Sequence, residues 1–264
     1  MSAVATTFRR AKAEHRAALV GYLPAGFPSV PGAIAAATAM AEACADIVEI
    51  GLPYSDPLMD GPVIQEAATR ALAAGTRVAD VLRTVAAVAG AGVPVLVMTY
   101  WNPVDHHGVA AFARDLAGAG GSGLITPDLT PEEAGPWLEA AAEHALDPVF
   151  LVAPSSSPER IKLITSACGG FVYAASLMGT TGTRDAVSGQ ADGLVRRVRE
   201  ATSLPVAVGL GVRDRSQAAQ VAGFADGVIV GSAFVRRLLD APDEAAGIAA
   251  VRKLAADLAG GVRA

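Results

Sequence analysis

The sequence predicts an α/β protein of the (β/α)8 barrel class, with an extra helix before the first strand and a short extra helix after the eighth. Three observations carry this. Eight short apolar runs rich in β-branched residues recur along 264 residues. Each is apolar at successive positions, the pattern of strands buried on both faces of a parallel sheet. Alanine-rich stretches separate them, and eight strand–helix units fit the roughly 250 residues of such a barrel. A doubly wound open sheet is the alternative reading of the same alternation. No Pro/Ser-rich linker or shift of composition divides the chain, so residues 1–264 read as one domain.

The elements follow in order. Val4 and Phe8, four apart, mark one face of an N-terminal helix. The strand runs are Leu19–Leu23, Asp46–Ile50, Val95–Met98, Gly123–Thr126, Pro148–Val152, Phe171–Ala174, Val206–Val208 and Gly227–Val230. Helical stretches occupy Pro31–Ala45, Val63–Ala74, Val78–Ala89, Val109–Ala117, Pro131–Ala145, Pro158–Ala167, Gly193–Ala201, Arg215–Ala222 and Asp243–Leu258. Pro31, Pro131 and Pro158 suit first turns, where a missing N–H costs nothing. Ser157 reads as the N-cap before Pro158. Ser176–Gln190 shows no clear periodicity and reads as a long loop, with Gly179, Gly182 and Gly189 as hinges. Gly231–Ser232 opens a short helical turn through Leu239.

Composition narrows the function classes. The apolar fraction of 52% and charged fraction of 18% exclude a disordered chain and a coiled coil. A net charge of −5 with scattered basic residues offers no field for nucleic acid. Thr84–Val104 is uncharged, but Gly90, Gly92, Pro94, Asn102 and Pro103 interrupt it, so it reads as helix end, turn, strand and loop rather than a membrane span. The first residues lack the apolar core of a signal peptide, and two cysteines, Cys44 and Cys168, make no disulfide framework, so a cytoplasmic location is expected. The four histidines have no zinc-like spacing with them, and the pair His106–His107 reads as a solvated loop.

Barrel active sites lie at the C-terminal ends of the strands. The richest such stretch is Asp46–Gln65, DIVEIGLPYSDPLMDGPVIQ. Alternation puts Val48 and Ile50 on the helix side and Ile47 and Glu49 inside the barrel. A carboxylate there must be paired, as with a nearby Arg, or shift its pKa to stay neutral. Asp60, in the proline-stiffened loop that follows, reads either as a helix cap or as a second carboxylate over the barrel mouth. The glycine loops after strands six to eight, Ser176–Arg184, Gly209–Gly211 and Gly231–Ser232, suit a phosphate held by backbone N–H groups. The pairs Arg196–Arg197 and Arg236–Arg237 read as solvated helix faces, with Arg236 able to help attract a phosphate.

EIGLPYSDPLMDGPVIQ resembles the signature of the tryptophan synthase alpha chain family, as do GYLPAGFPS, VLVMTYWNP, FVYAASLMGTTGTR and DGVIVGSAFV. The resemblance runs from about Leu19 to Leu239. It implies a (β/α)8 barrel that cleaves indole-3-glycerol phosphate to indole and glyceraldehyde 3-phosphate. It also implies a pyridoxal-phosphate beta chain as partner, expected as alpha2beta2, and no metal or organic cofactor in this chain. Matched by motif, Glu49 and Asp60 fall on the family's catalytic carboxylates, and Tyr100 and Tyr173 on its substrate pocket. Thr181 falls on the threonine of a mobile loop that closes toward Asp60. Gly182, Gly211, Gly231 and Ser232 fall on phosphate-binding positions, and Pro53, Asp56, Pro57 and Asn102 on partner contacts. Leu210, Met178, Thr180, Thr130 and Ser122 depart from the commoner family residues, Leu210 implying a slightly wider indole pocket. The same residues also allow a stand-alone lyase that releases free indole, and a weakly catalytic allosteric subunit. A phosphate-binding barrel isomerase is a further rival, though the Glu49–Asp60 loop does not supply its catalytic groups.

Overall fold

The structure is a computed structural model that describes residues 1–176 and 184–264, without the side chains of 184–188. Eight parallel strands close in sequence order, β8 pairing with β1. They are β1 (Ala18–Pro24), β2 (Ile47–Gly51), β3 (Val95–Met98), β4 (Gly123–Thr126), β5 (Asp147–Val152), β6 (Val172–Ala175), β7 (Val206–Gly209) and β8 (Gly227–Val230). The barrel class is as the sequence predicts. The helices among the described residues are α1 (Ala3–Ala13), α2 (Val30–Glu42), α3 (Pro62–Ala73), α4 (Val78–Ala89), α5 (Trp101–His107), α6 (Val109–Gly118), α7 (Gly135–Glu143), α8 (Pro158–Ala167), α9 (Arg184–Ala201), α10 (Arg215–Ala222), α11 (Ser232–Leu239) and α12 (Glu244–Val262). None of them is long and apolar enough to cross a membrane.

Alternation along the strands sorts their side chains into two cores. Val48, Ile50, Val97 and Val208 join the outer core beneath the helices. Val20, Ile47, Leu96, Ile125, Val149, Phe171 and Ile229 fill the barrel interior, which α1 closes from below with Val4, Phe8 and Ala11. The rings of Phe8 and Phe171 meet at 5.3 Å between centroids. The apolar plug leaves only the opposite, C-terminal end of the barrel open for polar chemistry.

Four sequence readings need correction. The helix read from Pro131 starts at Gly135, because a continuous helix would drive the Pro136 ring into the carbonyl of residue 132. Residues 131–133 form a turn instead, closed by the Glu133 N–H donating to the Thr130 carbonyl at 3.0 Å. The segment after β3 is helical, with Pro103 in the first turn and the Trp101 N–H donating to Asp128 at 2.9 Å. His106–His107 therefore ends α5 rather than lying in a loop, and His107 pairs with Asp115 at 3.1 Å. The long loop read over 176–190 is helical from Arg184, nine residues before the expected Gly193. That extension carries no apolar stripe, and its Gly189 and Gln190 are exposed, so its helix leaves no periodic signal. Thr181, Gly182, Met178 and Thr180, with the closing loop expected around them, lie outside the described residues. Finally, Arg197 is half-buried and donates to the carbonyls of Ser156 and Pro154 at 3.0 and 2.9 Å, so it fixes the loop after β5 rather than facing solvent.

The most buried ion pair of the lower rim joins Arg16 to Asp46. The Arg16 guanidinium reaches both oxygens of Asp46 at 2.7 and 2.8 Å, and Asp46 also accepts the Leu19 N–H at 2.9 Å. Both side chains are nearly excluded from water, at 6% and 4% exposure. Removing one partner of a buried pair strands a charge and costs about 3–5 kcal/mol. Arg16→Ala, which leaves Asp46 only Arg10 at 3.6 Å, is accordingly expected to lower the unfolding free energy in a urea titration by up to that amount, while Arg114→Ala, at an exposed pair, changes it by less than about 1 kcal/mol.

Candidate active site

The site begins with the strand register. Tyr22 of β1 pairs with Glu49 of β2, and Glu49 pairs with Leu96 of β3. Glu49 points inward, as its alternation with Val48 and Ile50 predicts. It is fully buried, and among the described residues neither carboxylate oxygen has a hydrogen-bond partner. Among the described residues no arginine pairs with it. Burial alone pushes its carboxyl up to about 8.

Above Glu49 opens a cavity of about 490 Å³. Asp60 lines it from the loop between β2 and α3. Gly61, not Asp60, is the N-cap of α3, so the capping role is not what places this carboxylate. Partial burial raises Asp60 to about 6. The two carboxyls therefore straddle neutral pH, Glu49 protonated and Asp60 ionised, which is the pattern of an acid and a charge stabiliser in one site.

Tyr173, Gly211, Gly231 and Ser232 line the same cavity. Gly211 turns the chain after β7 with φ +70°, a conformation that favours glycine. Ser232 starts α11, so unpaired backbone N–H groups of a helix start face the cavity there. Tyr100 is not a lining residue. It is buried beneath the loop, where its hydroxyl accepts the Met59 N–H at 2.8 Å and its ring stacks on Tyr54 at 5.2 Å. It holds the loop that carries Asp60. Leu210 lines the cavity, where the departure from the family pattern bears directly on its shape.

Sequence reasoning missed Tyr22, Met98 and Arg213, all on the cavity wall, and named Ser176 only as the start of a glycine loop. Tyr22 was legible in principle, being the interior neighbour of Glu49 on the preceding strand. Its ring occupies the space above Gly51, where an added Cβ would lie 2.6 Å from Cζ. Tyr173 does the same over Gly209, where a Cβ would lie 2.7 Å from its hydroxyl. Two strand glycines thus seat two tyrosines around the carboxylates.

Of the residues expected to meet a partner, Asp56 and Asn102 are exposed and Pro57 is half-buried, whereas Pro53 is buried at the base of its loop. The same loop exposes Leu58 at 86% and Met59 at 40%, an apolar tip that the sequence reading did not single out.

The family model described as "Tryptophan synthase alpha chain" matches residues 8–261. The chain belongs to the tryptophan synthase alpha chain family. It is 61% identical to the tryptophan synthase alpha chain of Salinispora arenicola over 263 residues, covering 100% of this chain and 98% of that one. Identity with the alpha chain of Streptomyces coelicolor is 60%, covering 97% and 95% of the two chains. Among solved structures it matches a chain of Mycobacterium tuberculosis tryptophan synthase in its aminoacrylate-bound form, with TM-score 0.91, 53% identity and coverage of 99% and 100%. The alpha subunit of Legionella pneumophila matches with TM-score 0.89 at 33% identity, covering 99% and 98%.

The seating of the tyrosines is directly testable. Gly51→Ala forces the Tyr22 ring aside and is expected to destabilise the protein by about 1–3 kcal/mol, the usual effect of overpacking. Adding Tyr22→Leu should recover part of that loss. A double-mutant cycle on urea midpoints that shows additive effects would refute the contact.

Proposed function

We propose that this chain performs the family's reaction, the cleavage of indole-3-glycerol phosphate to indole and glyceraldehyde 3-phosphate, with Glu49 as the proton donor and Asp60 as the stabiliser of positive charge. What supports these roles above all is the orphaned, fully buried Glu49 carboxyl beneath a cavity whose other end is built from glycine loops. Buried carboxyls with strongly shifted pKa values in a cleft cluster at functional sites.

The cleavage is a retro-aldol step. Proton transfer from Glu49 to indole C3 turns the ring into a cation that can take the electron pair of the bond to the glycerol carbon. As that bond breaks, the hydroxyl on the same carbon loses its proton and becomes the aldehyde carbonyl, with the Glu49 carboxylate as acceptor. The pair returns to the ring as indole, so protons and electrons balance. Asp60, ionised above about 6, offsets the positive charge that spreads to the indole N–H. Tyr173 bounds the aromatic part of the cavity, while Gly211, Gly231 and Ser232 offer backbone N–H groups to the phosphate. Thr181 and Gly182 complete this assignment by motif.

The product indole suits transfer to a tryptophan synthase beta chain, and we assign the loop of Asp56 and Pro57, with Asn102, to that contact, Pro53 acting from beneath. Exposed Leu58 adds apolar area at the loop tip, the kind of patch that a partner covers. An alpha2beta2 assembly in the cytoplasm is the arrangement that this reading implies.

Two measurements test it. Cleavage should follow a bell-shaped pH profile, rising as Asp60 ionises near 6 and falling as Glu49 loses its proton near 8. Glu49→Gln keeps the shape and removes the proton, so activity should vanish while a substrate analogue binds within about tenfold of wild type. Asp60→Asn should lose about 10²-fold in kcat, together with the acid limb of the profile. An active Glu49→Gln enzyme would overturn the roles. For the partner, Leu58→Asp should weaken beta-chain binding by roughly tenfold or more in a titration, with cleavage by the free chain preserved. Unchanged affinity would remove the loop tip from the interface.

A further inference from the structure

The cavity has a charged side that the carboxylates do not explain. Arg213 and Arg236 both line it, and both also line an adjoining cavity of about 400 Å³. Arg213 follows the Gly211 turn by two residues. Arg236 lies one helical turn beyond Ser232 on α11, and long side chains on a helix lean back toward its N-terminus. Arg236 is exposed, and it shares the walls of both cavities with Ser232, the first residue of that helix.

Arg70, Arg83, Arg196 and Arg252 each meet a carboxylate on the surface. Among the described residues the guanidiniums of Arg213 and Arg236 have no carboxylate or hydrogen-bond partner; Arg213 is engaged only through its backbone N–H, to Gln217 at 2.8 Å. Arg9, Arg215, Arg237 and Arg263 are likewise without a carboxylate partner among the described residues, so what sets Arg213 and Arg236 apart is their place on the wall of this cavity. Nor do they neutralise Asp60, whose raised pKa has burial as its cause. A third group points the same way. Ser176, at the end of β6, is 6% exposed, lines this cavity and has a buried hydroxyl with no partner among the described residues. Its N–H donates to the Gly209 carbonyl at 3.1 Å, which places it beside the β7 end.

Two unpaired guanidiniums and an unsatisfied hydroxyl beside a helix start describe a site for a dianion. Guanidinium forks match phosphate oxygens in geometry and charge. We propose that Arg213 and Arg236 are the side-chain counter-charges that hold the phosphate of the substrate, adding charge and orientation to the backbone cradle. This rests on the function proposed above.

The test uses the full chain and reads phosphate and indole separately. In the reverse condensation, Arg213→Gln and Arg236→Gln should each raise KM for glyceraldehyde 3-phosphate by about tenfold, an ionic hydrogen bond discounted for solvent exposure. The double variant should raise it further, and KM for indole should stay within about twofold in all of them. Arg213→Lys and Arg236→Lys should restore part of the loss, since the charge is kept. Rising salt should weaken wild type more than the double variant, because screening acts on the charges removed. Arg9→Gln, on α1 at the closed end of the barrel, is the charge control and should leave both KM values unchanged. Calorimetric binding of glycerol 3-phosphate gives a readout independent of turnover. If wild type binds it and the variants lose it while no cleavage occurs, the anion site stands and the proposed reaction falls. If wild type cleaves and the double variant keeps its KM for glyceraldehyde 3-phosphate, the counter-charge role is overturned. Equal losses for indole and the phosphorylated ligand overturn it as well, by assigning the arginines to the fold.

Discussion

The Glu49 carboxyl sits in an apolar barrel with both oxygens unpartnered among the described residues, and much of the surrounding architecture follows from the need to keep it neutral. An ionised carboxylate there would forfeit its hydration with nothing in return. The barrel wall excludes water on one side, and the α1 plug of Val4, Phe8 and Ala11 closes the bottom. The linkage has a definite sign. A carboxyl raised from the ordinary range to about 8 favours the folded state fully below its unfolded pKa, and that contribution is lost as pH rises toward 8. The proton that makes the residue useful is the same one that makes its burial tolerable.

Polarity is separated along the barrel axis. At the lower rim Arg16 and Asp46 are paired and hydrogen-bonded, so they lock the start of β1 to β2, although Asp147 at the start of β5 keeps one buried oxygen without a partner among the described residues. Groups at the upper rim have no partner among the described residues: Glu49, the Ser176 hydroxyl, and the first N–H groups of α11. Parallel strands enforce this division, because every one of them ends at the same face. The loop of Asp60 then joins the chemistry to the exposed tip at Leu58 through one short, proline-stiffened segment. Tyr100 holds that segment by a single hydrogen bond to Met59.

Local pattern carries most of the fold and the heart of the site. The eight strands were legible because a run apolar on both faces admits few other readings, and Glu49 was legible because alternation forces it inward among Ile47, Val48 and Ile50. Helices with an apolar stripe were placed well. Those without one were not: α5 hides behind Asn102 and Pro103, and the start of α9 has no stripe to read. Asp60 and the glycine loops could be assigned to the barrel mouth because a barrel has only one functional face.

Tertiary structure decided what depends on neighbours distant in sequence. That Glu49 has no partner among the described residues depends on side chains from several strands, and no strand pattern contains it. Tyr100 serves the loop rather than the cavity wall because Met59, forty-one residues earlier, comes within hydrogen-bond reach of its hydroxyl. Tyr22 and Tyr173 take their positions from the missing Cβ atoms of Gly51 and Gly209, each on the adjacent strand. The sequence by itself determined which residues face inward, since that follows from the two-residue period of a strand. Closure of the sheet decided which of them touch, which stay unpaired and which share a cavity, since only that closure sets distances between residues of different strands.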